Sequence, residues 1–341
     1  MKKRRKLKLS RLIILVSIVF VFCFFVIKGF GALLNVDIFS SAKNFIPDLF
    51  KSDDYNTLLA SPASKEEPSE EKEPYVPVLP EYIDNVSAGS DVESDYAILV
   101  CVDSGRVIAN RNSKVKMYPA SMTKIMSLVV AVEHIEDIND TFTMSYEIIN
   151  PLYLQNATVT GLTSGETVPL SDLLYGAILP SGADATQALA IYTAGSEEKF
   201  VEWMNEKVEE LGLVDTHFTN TSGLHDENHY TTAYDMAVIL DYVMHNEICA
   251  EILGTVKHTT TSTPEHPSGI EMYSTMYSKI KRDHIDGVEI IGGKTGYTYQ
   301  SGHCLVSCAE KNGRTYIAVT AKGETKYSPI YDVVALLDEY I

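Results

Sequence analysis

Strand-forming runs stand at both ends of the body of this chain, whereas the sequence between them has helical patterns. An apolar run at 96–102 leads through a turn to a second run at 106–110, and runs at 303–310 and 315–321 flank Asn312-Gly313. Asn-Gly between two such runs predicts a hairpin, because both residues tolerate the positive φ of a tight turn. Strands at both ends with helices between them imply that the two distant parts pair in one sheet. We therefore predict an α/β (α+β) fold, whose antiparallel sheet forms from both ends of the domain around an inserted helical region.

The region between these strands has repeated helix signals. Apolar positions recur there at helical spacing, and the segments start at capping residues such as Ser196 and end near glycines such as Gly212. Five helices are therefore predicted, at 121–135, 170–178, 184–194, 196–211 and 232–246. Near the end of the chain, a strand at 287–291 continues into Lys294-Thr295-Gly296, and a last amphipathic helix is predicted at 327–341.

The N-terminus indicates where the body folds. Seven of the 28 lysines and arginines lie within residues 1–11, and Leu12 to Leu34 is then mostly apolar, with one lysine at position 28. As a helix this run is about 35 Å long, enough to cross a bilayer core of about 30 Å. Because basic flanks stay in the cytoplasm, we predict a cytoplasmic flank at 1–11, a transmembrane signal anchor at 12–34 and an extracellular body. A cleaved signal peptide is the alternative, although Gly29 to Ala32 offers it only a poor cleavage site.

We predict that residues 35–91, which are acidic and rich in proline, form a flexible stalk. The stalk precedes a globular domain at 92–341. The stretch 61–74 lacks the apolar side chains that would offset the entropy of ordering it. The net charge is −18, and it is more negative still beyond the basic N-terminus. So acidic a body disfavours phosphate backbones, and we expect no nucleic-acid partner.

The first of three candidate chemical motifs is Ser121-Met122-Thr123-Lys124. A hydroxyl and an amine three residues apart share one face of a helix, so the amine can reach the hydroxyl. Ser-x-x-Lys spacing occurs six times in the chain, but only this copy follows Pro-Ala and opens a helix with an apolar stripe. The alternative interpretation is a capping serine with a solvated lysine.

The other two motifs are Pro180 to Asp184, between two predicted helices, and Ile291 to Thr298, on a predicted strand. Alone, the first could be only a helix stop followed by a helix cap. In the second, glycines around Lys294-Thr295 would let a ligand backbone approach closely, and the amine could hold a carboxylate. A tight turn is the alternative there.

In the order Ser121, Ser181, Lys294, the three motifs fit the active-site plan of penicillin-recognising serine enzymes. From about residue 96 to 322, the sequence resembles the serine D-alanyl-D-alanine carboxypeptidases, which are the low-molecular-mass penicillin-binding proteins. The segments that carry the resemblance are Tyr118-Pro119-Ala120-Ser121-Met122-Thr123-Lys124, Leu211-Gly212-Leu213 to Asn220, Ser222-Gly223-Leu224-His225, Tyr230-Thr231-Thr232-Ala233 and Lys294-Thr295-Gly296-Tyr297-Thr298.

The resemblance implies a β-lactamase/transpeptidase-like fold and removal of the terminal D-alanine from peptidoglycan stem peptides ending in D-Ala-D-Ala. It implies that Ser121 is the nucleophile, Lys124 the general base and Ser181 a proton relay, with no metal and no cofactor. The implied substrate-binding residues are Lys294, Thr295, Gly296, Tyr297 and Thr298, and the backbone N–H groups of Ser121 and Tyr297 would form the oxyanion hole. β-lactam antibiotics would acylate Ser121 by the same route.

Two departures from the family pattern stand out. Ala183 occupies the place where the family usually has Asn, and loss of that amide predicts reduced activity. A catalytically weak protein that only binds penicillin or peptidoglycan is therefore an alternative. The chain also ends soon after the domain, whereas relatives often carry a C-terminal β-domain and an amphipathic anchor. We expect the N-terminal helix and stalk to provide the attachment to the membrane.

Two further possibilities have weaker support. A β-lactamase would need a carboxylate for deacylation, and no convincing Glu-x-x-x-Asn segment is present in the helical region. The spacing of His225 and His229 could suggest zinc, but Gly223 and Asn228 favour a loop, and we expect a structural role for these histidines.

Overall fold

The computed structural model of the protein describes residues 75–82 and 87–341. The predicted flank at 1–11, the predicted anchor at 12–34 and the stalk up to residue 74 lie outside these residues. In the part of the chain that is described, no helix is both long enough and apolar enough to span a membrane.

A mixed sheet lies at the centre of the fold. Its six strands are β1 (Glu81–Tyr82), β2 (Tyr96–Cys101), β3 (Arg106–Arg111), β8 (Glu289–Thr298), β9 (Gly302–Lys311) and β10 (Arg314–Gly323). They lie in the order β1-β3-β2-β10-β9-β8, and β2 pairs antiparallel with β10. The predicted pairing of the two ends of the domain is therefore confirmed. One detail differs, because the short edge strand β1 runs parallel to β3.

Four short strands form two small ribbons outside this sheet. They are β4 (Thr141–Thr143), β5 (Thr167–Pro169), β6 (Lys257–Thr259) and β7 (Glu271–Tyr273), and they pair as β4-β5 and β6-β7. The predicted hairpin joins β9 to β10, with Asn312 at φ 53° and Gly313 at φ 72°. Positive φ at both central residues explains why Asn-Gly is used at this turn.

The described residues form eight α-helices. They are α1 (Thr123–His134), α2 (Tyr146–Leu154), α3 (Leu170–Ile178), α4 (Ala183–Ala194), α5 (Glu197–Glu210), α6 (Ala233–Met244), α7 (Glu247–Gly254) and α8 (Ser328–Tyr340). The six predicted helices are present, whereas α2 and α7 were not predicted. Pro151 lies inside α2 and has no backbone N–H to donate, so the helical pattern there is difficult to recognise. Helix α6 ends at Met244, and α7 begins directly after Asn246, whose side chain caps it.

The sheet separates two apolar clusters. Alternate residues of β2 point to opposite faces, so that Ile98 and Val100 join the cluster under the inserted helices while Leu99 joins the cluster under α8. Helix α1 lies inside the larger cluster and is buried from Thr123 to Val132. Each large apolar side chain buried in this way stabilises the fold by about 1.5–3 kcal/mol. The helix that follows the candidate nucleophile is therefore rigidly held.

The compact unit begins at Pro74, earlier than the domain start predicted at residue 92. The hydroxyl of Tyr75 donates to Asp241 at 2.9 Å, and its ring stacks on His245 with 3.4 Å between ring centroids. Tyr82 stacks on Tyr234 at 6.0 Å and belongs to β1. Two tyrosines and a strand pairing thus attach residues 75–82, which the sequence places in the stalk, to the globular domain.

Candidate active site

Ser121 and Lys124 lie together at the start of α1. A 3-10 turn at Ala120–Met122 leads directly into the helix, so the serine stands at its N-terminal end and the lysine lies one turn later. The Nζ of Lys124 is 3.1 Å from the Oγ of Ser121. Ala120 has φ 47°, a sparsely populated conformation for a residue with a side chain, which costs on the order of 1 kcal/mol. The strained backbone at Ala120 therefore sets the position of Ser121 at the start of the helix.

The amine of Lys124 is almost fully buried, with 2% of the residue exposed. Its Nζ donates to the backbone carbonyl of Ser222 at 2.5 Å. Burial lowers the pKa of Lys124 to about 7, and the negative charge of Asp184 opposes this shift only in part. A large fraction of this amine is therefore neutral near pH 7, and a neutral amine can accept the proton of a neighbouring hydroxyl.

Ser181 lies in the tight turn between α3 and α4. It has φ 72° and 8% of its surface is exposed. Gly182 follows, where a Cβ would lie 2.5 Å from the Cγ2 of Thr160 and 2.8 Å from the Oδ1 of Asp184. Only glycine fits at this position. The Asp184 carboxylate accepts hydrogen bonds from the N–H of Thr160 at 2.9 Å and from its hydroxyl at 2.5 Å, which fixes the turn from behind.

Strand β8 runs beside the nucleophile. A Cβ at Gly296 would lie 2.9 Å from the carbonyl oxygen of Pro119 and 3.1 Å from the backbone nitrogen of Ser121. A glycine is needed here because a larger residue would push the strand away from the serine. This close approach brings the backbone of β8 next to the Ser121 N–H.

Lys294 is a residue of β8 and is buried, with 1% of the residue exposed. Its Nζ donates to the carbonyl of Thr295 at 2.9 Å. Burial, followed by the positive charges of Lys124 and Lys279, holds its pKa well below the usual value for lysine. A carboxylate arriving nearby would favour the protonated form again.

A cleft of about 340 Å³ connects these elements. Of the predicted site residues, Ser121, Ser181, Thr295, Gly296 and Tyr297 line it. Lys124, Lys294 and Thr298 do not line it. The Thr298 hydroxyl instead donates to the Oγ of Ser301 at 2.9 Å and closes the turn between β8 and β9.

Several residues that line the cleft were not predicted from the sequence. They are Thr158, Thr275, Lys279, His303, Cys304, Lys326 and Pro329. Thr275 accepts a hydrogen bond from the hydroxyl of Thr295 at 2.7 Å, and the amine of Lys279 donates to the carbonyl of Thr275. These residues come from separate parts of the chain, including β9 and the start of α8, and no short motif marks any of them.

The cleft is rich in positive charge in an otherwise acidic protein. Lys279 and Lys326 line the cleft, and among the described residues neither forms an ion pair with a carboxylate. An anionic group in this cleft would therefore meet two lysine side chains that no carboxylate neutralises.

His229 has a structural role beside the nucleophile's helix. Its Nε2 lies 2.7 Å from the hydroxyl of Thr123, and its Nδ1 accepts from the N–H of Thr219 at 3.1 Å. Burial lowers the pKa of His229 to about 4, so the ring is neutral at pH 7. Both ring nitrogens thus hold protein groups. His225 lies apart from it and packs edge-on against Tyr118.

Comparisons with known proteins agree with this arrangement. The sequence model of the family described as D-alanyl-D-alanine carboxypeptidase matches residues 83–325. D-alanyl-D-alanine carboxypeptidase DacF of Bacillus subtilis (strain 168) is 31% identical over 246 residues, which cover 72% of this chain and 61% of that protein. The chain thus spans about three fifths of the length of curated relatives that it matches.

Solved structures share the fold. The crystal structure of D-alanyl-D-alanine carboxypeptidase from Mycobacterium tuberculosis H37Rv superposes with a TM-score of 0.64 at 27% identity, over 75% of this chain and 95% of that chain. The Streptomyces K15 DD-transpeptidase has a TM-score of 0.67 at 23% identity, over 72% of this chain and 96% of that chain. Since the family model covers most of the chain and the motifs meet in one cleft, this chain belongs to the D-alanyl-D-alanine carboxypeptidase family.

Proposed function

We propose that this protein is a serine D-alanyl-D-alanine carboxypeptidase, which removes the terminal D-alanine of peptidoglycan stem peptides. The observation that carries the proposal is the Ser121–Lys124 pair. Its two polar atoms are 3.1 Å apart beside a cleft, and the amine has a pKa of about 7. A hydroxyl next to a partly neutral buried amine has the chemistry of an activated nucleophile.

In the first step, the Oγ of Ser121 attacks the carbonyl carbon of the penultimate D-alanine while Lys124 takes the hydroxyl proton. The peptide C–N bond then breaks. The leaving amine of the terminal D-alanine receives a proton by way of Ser181, whose hydroxyl lines the same cleft. The products are free D-alanine and an ester on Ser121. Water, deprotonated by Lys124, hydrolyses this ester and regenerates the serine.

The substrate carboxylate would be held on the β8 side of the cleft. Lys294 and the hydroxyl of Thr295 are the proposed partners of the carboxylate, and Gly296 leaves room for the substrate backbone. The developing negative charge on the carbonyl oxygen would accept hydrogen bonds from the backbone N–H groups of Ser121 and Tyr297. The close approach of β8 to the Ser121 nitrogen supports this arrangement.

A β-lactam antibiotic would acylate Ser121 in the same way, because its strained amide occupies the position of the scissile peptide bond. A protein that binds wall peptide or penicillin with little turnover is a second candidate, favoured by Ala183. This residue leaves a methyl group, 2% exposed, where the family usually has an amide. A β-lactamase is a weaker alternative.

We also propose that residues 12–34 anchor the protein in the cell membrane as a single span, and that the chain beyond them is extracellular. The support is the apolar run behind seven basic residues. On this proposal, the stalk joins the membrane anchor to the catalytic domain and lets the domain reach the peptidoglycan.

The test is D-alanine release from a peptide ending in D-Ala-D-Ala by the soluble protein from residue 75 onward. We expect release that penicillin blocks and that a metal chelator leaves unchanged. Labelling by a fluorescent penicillin without D-alanine release would favour the binding protein. Release that a chelator abolishes and penicillin does not would overturn the serine mechanism.

A further inference from the structure

A second cavity is lined by Ala183, two residues after Ser181. It has a volume of about 220 Å³, and we name it the acceptor pocket. The lining residues that carry the argument are Gln187, Glu197, Ser222, His225 and Asp226. Ser222 places it close to the reacting groups, because the carbonyl of Ser222 is 2.5 Å from the amine of Lys124 and that amine is 3.1 Å from the Ser121 hydroxyl.

The acceptor pocket offers hydrogen-bond acceptors and negative charge. The Oε1 of Gln187 is buried and has no hydrogen-bond partner among the described residues, while its Nε2 donates to Glu197 at 2.8 Å. The other oxygen of Glu197 accepts from the N–H and the hydroxyl of Thr221 at 3.0 and 2.7 Å. Glu197 has no lysine or arginine partner in the described part of the chain. The exposed residue Asp226 also lines the pocket, and the lining contains no lysine or arginine.

The two cavities differ in the ligand charge that suits them. The cleft carries unpaired lysines and suits the C-terminal carboxylate, which is one residue beyond the scissile bond. The rest of a stem peptide must then leave the serine in the other direction. Successive Cα atoms are 3.8 Å apart, so the residue just before the penultimate D-alanine lies within about two residue lengths of Ser121. Ser222, which lines the acceptor pocket, lies within that distance of Ser121, because both residues contact the amine of Lys124.

Resting on the proposed function, we propose that the acceptor pocket binds a side-chain ammonium group on the third residue of the stem peptide. An ammonium has three N–H donors and no acceptor, and it would satisfy the Gln187 oxygen and face the carboxylates of Glu197 and Asp226. A third residue whose amine has been acylated in a cross-link has one amide donor and no charge. The pocket therefore selects stem peptides whose third-residue amine is free.

The experiment compares two pentapeptides that end in L-Lys-D-Ala-D-Ala and differ only in acetylation of the lysine ε-amine. For the wild-type protein, we expect kcat/KM for D-alanine release to be about tenfold higher with the free amine, the size expected of a charge-assisted hydrogen bond. The double variant Gln187→Leu, Asp226→Asn should reduce this ratio to about twofold or less. Glu197 is left unchanged because it also holds Thr221.

Glu227→Gln is the matched control, since it removes the same charge from the neighbouring exposed residue, which does not line the pocket. It should keep the wild-type ratio. Measurable but equal rates for the two peptides in the wild-type protein, or an unchanged ratio in the double variant, would overturn the inference.

Binding to the Ser121→Ala protein separates this inference from the proposed function. Calorimetry should give a Kd about tenfold lower for the free-amine peptide than for the acetylated one, whether or not the wild-type protein turns either over. Equal affinities would contradict the acceptor pocket. Absence of D-alanine release from both peptides by the wild-type protein, with the affinity difference retained, would contradict the proposed carboxypeptidase and leave the pocket supported.

Discussion

The two cavities beside the Ser181 turn have opposite electrostatic character, although they are only a few residues apart. Ser181 lines the cleft, whose other walls carry Lys279 and Lys326, and Ala183 lines the acceptor pocket with Glu197 and Asp226. A peptide with a carboxylate at its end and an ammonium on an internal side chain fits this pair in one direction only. Charge, rather than shape alone, can therefore set the direction in which the substrate peptide lies across the two cavities.

Burial also acts differently on the two sides. Beside the cleft, burial lowers the pKa of Lys124 to about 7 and holds the pKa of Lys294 well below the usual value for lysine. In the acceptor pocket, Glu197 is partly exposed and keeps hydrogen bonds from Thr221 and Gln187. The lysine side can therefore respond to the arrival of a carboxylate, whereas the acidic side is organised in advance.

The largest expected effect comes from removing the hydroxyl of Ser121, on which reaction with any peptide depends. Ser121→Ala should lower penicillin acylation and D-alanine release by about a thousandfold or more, because in the described part of the chain the hydroxyl of Ser121 is the only one hydrogen-bonded to the Lys124 amine. Labelling with a fluorescent penicillin and a D-alanine assay measure this loss. Ser278→Ala, at another Ser-x-x-Lys spacing and on the surface, is the matched control and should retain wild-type rates.

Lys124→Met removes the proposed base and keeps most of the side-chain volume. We expect the acylation rate to fall by about 10²- to 10⁴-fold. The free energy of unfolding should change by about 1 kcal/mol or less, because loss of the bond to Ser222 is offset by removal of a buried amine. Stopped-flow acylation and thermal unfolding give the two values. A variant that acylates at the wild-type rate would show that Lys124 is not the base.

Lys294→Met should weaken recognition of the substrate's C-terminal carboxylate and leave recognition of the third-residue amine unchanged. The wild-type protein is expected to prefer a peptide with a free C-terminal carboxylate over its carboxamide by about 10- to 100-fold in kcat/KM. The variant should lose most of this preference while keeping its preference for a free third-residue amine. If carboxylate preference survives in the variant, Lys294 does not hold the substrate terminus.

The pH dependence tests the buried amine of Lys124. The base is active when neutral, and its pKa is about 7, so the acylation rate should rise about tenfold between pH 6 and pH 8 and level off above. The Lys124→Met variant should lose this rise. A wild-type rate that stays flat from pH 6 to 8 or that rises only near pH 10, the usual range of lysine, would contradict the lowered pKa.

The smallest expected effect is that of Ala183→Asn, which places an amide at the boundary between the two cavities. One added hydrogen bond to the substrate or Lys124 should raise penicillin acylation by about three- to tenfold. The amide would also occupy part of the acceptor pocket, so the preference for a free amine should fall. Unchanged acylation and unchanged preference would show that this position does not influence the site.

The sequence predicted much of this fold because its signals are local. The helix at 170–178 has the predicted bounds, and Asn312-Gly313 forms the predicted hairpin. The Ser121–Lys124 contact also follows from helical spacing alone. The pairing of β2 with β10 required one further argument, that strands at both ends of a domain with helices between them form one sheet.

The missed features depend on tertiary contacts that leave no local pattern. The carbonyl of Ser222 reaches Lys124 across 98 residues of sequence, and a backbone carbonyl carries no sequence signal. Thr275 and Lys279 enter the cleft from a segment that has no motif. The acceptor pocket exists because Ala183, Gln187 and Glu197 meet distant loop residues. Its composition could not be read from any one segment.

Mass spectrometry of the soluble protein after brief exposure to benzylpenicillin tests the nucleophile directly. After proteolysis, the account predicts a single penicilloyl adduct on the peptide that contains Ser121. An adduct on the peptide that contains Ser181, or a folded wild-type protein with no adduct at all, would contradict it.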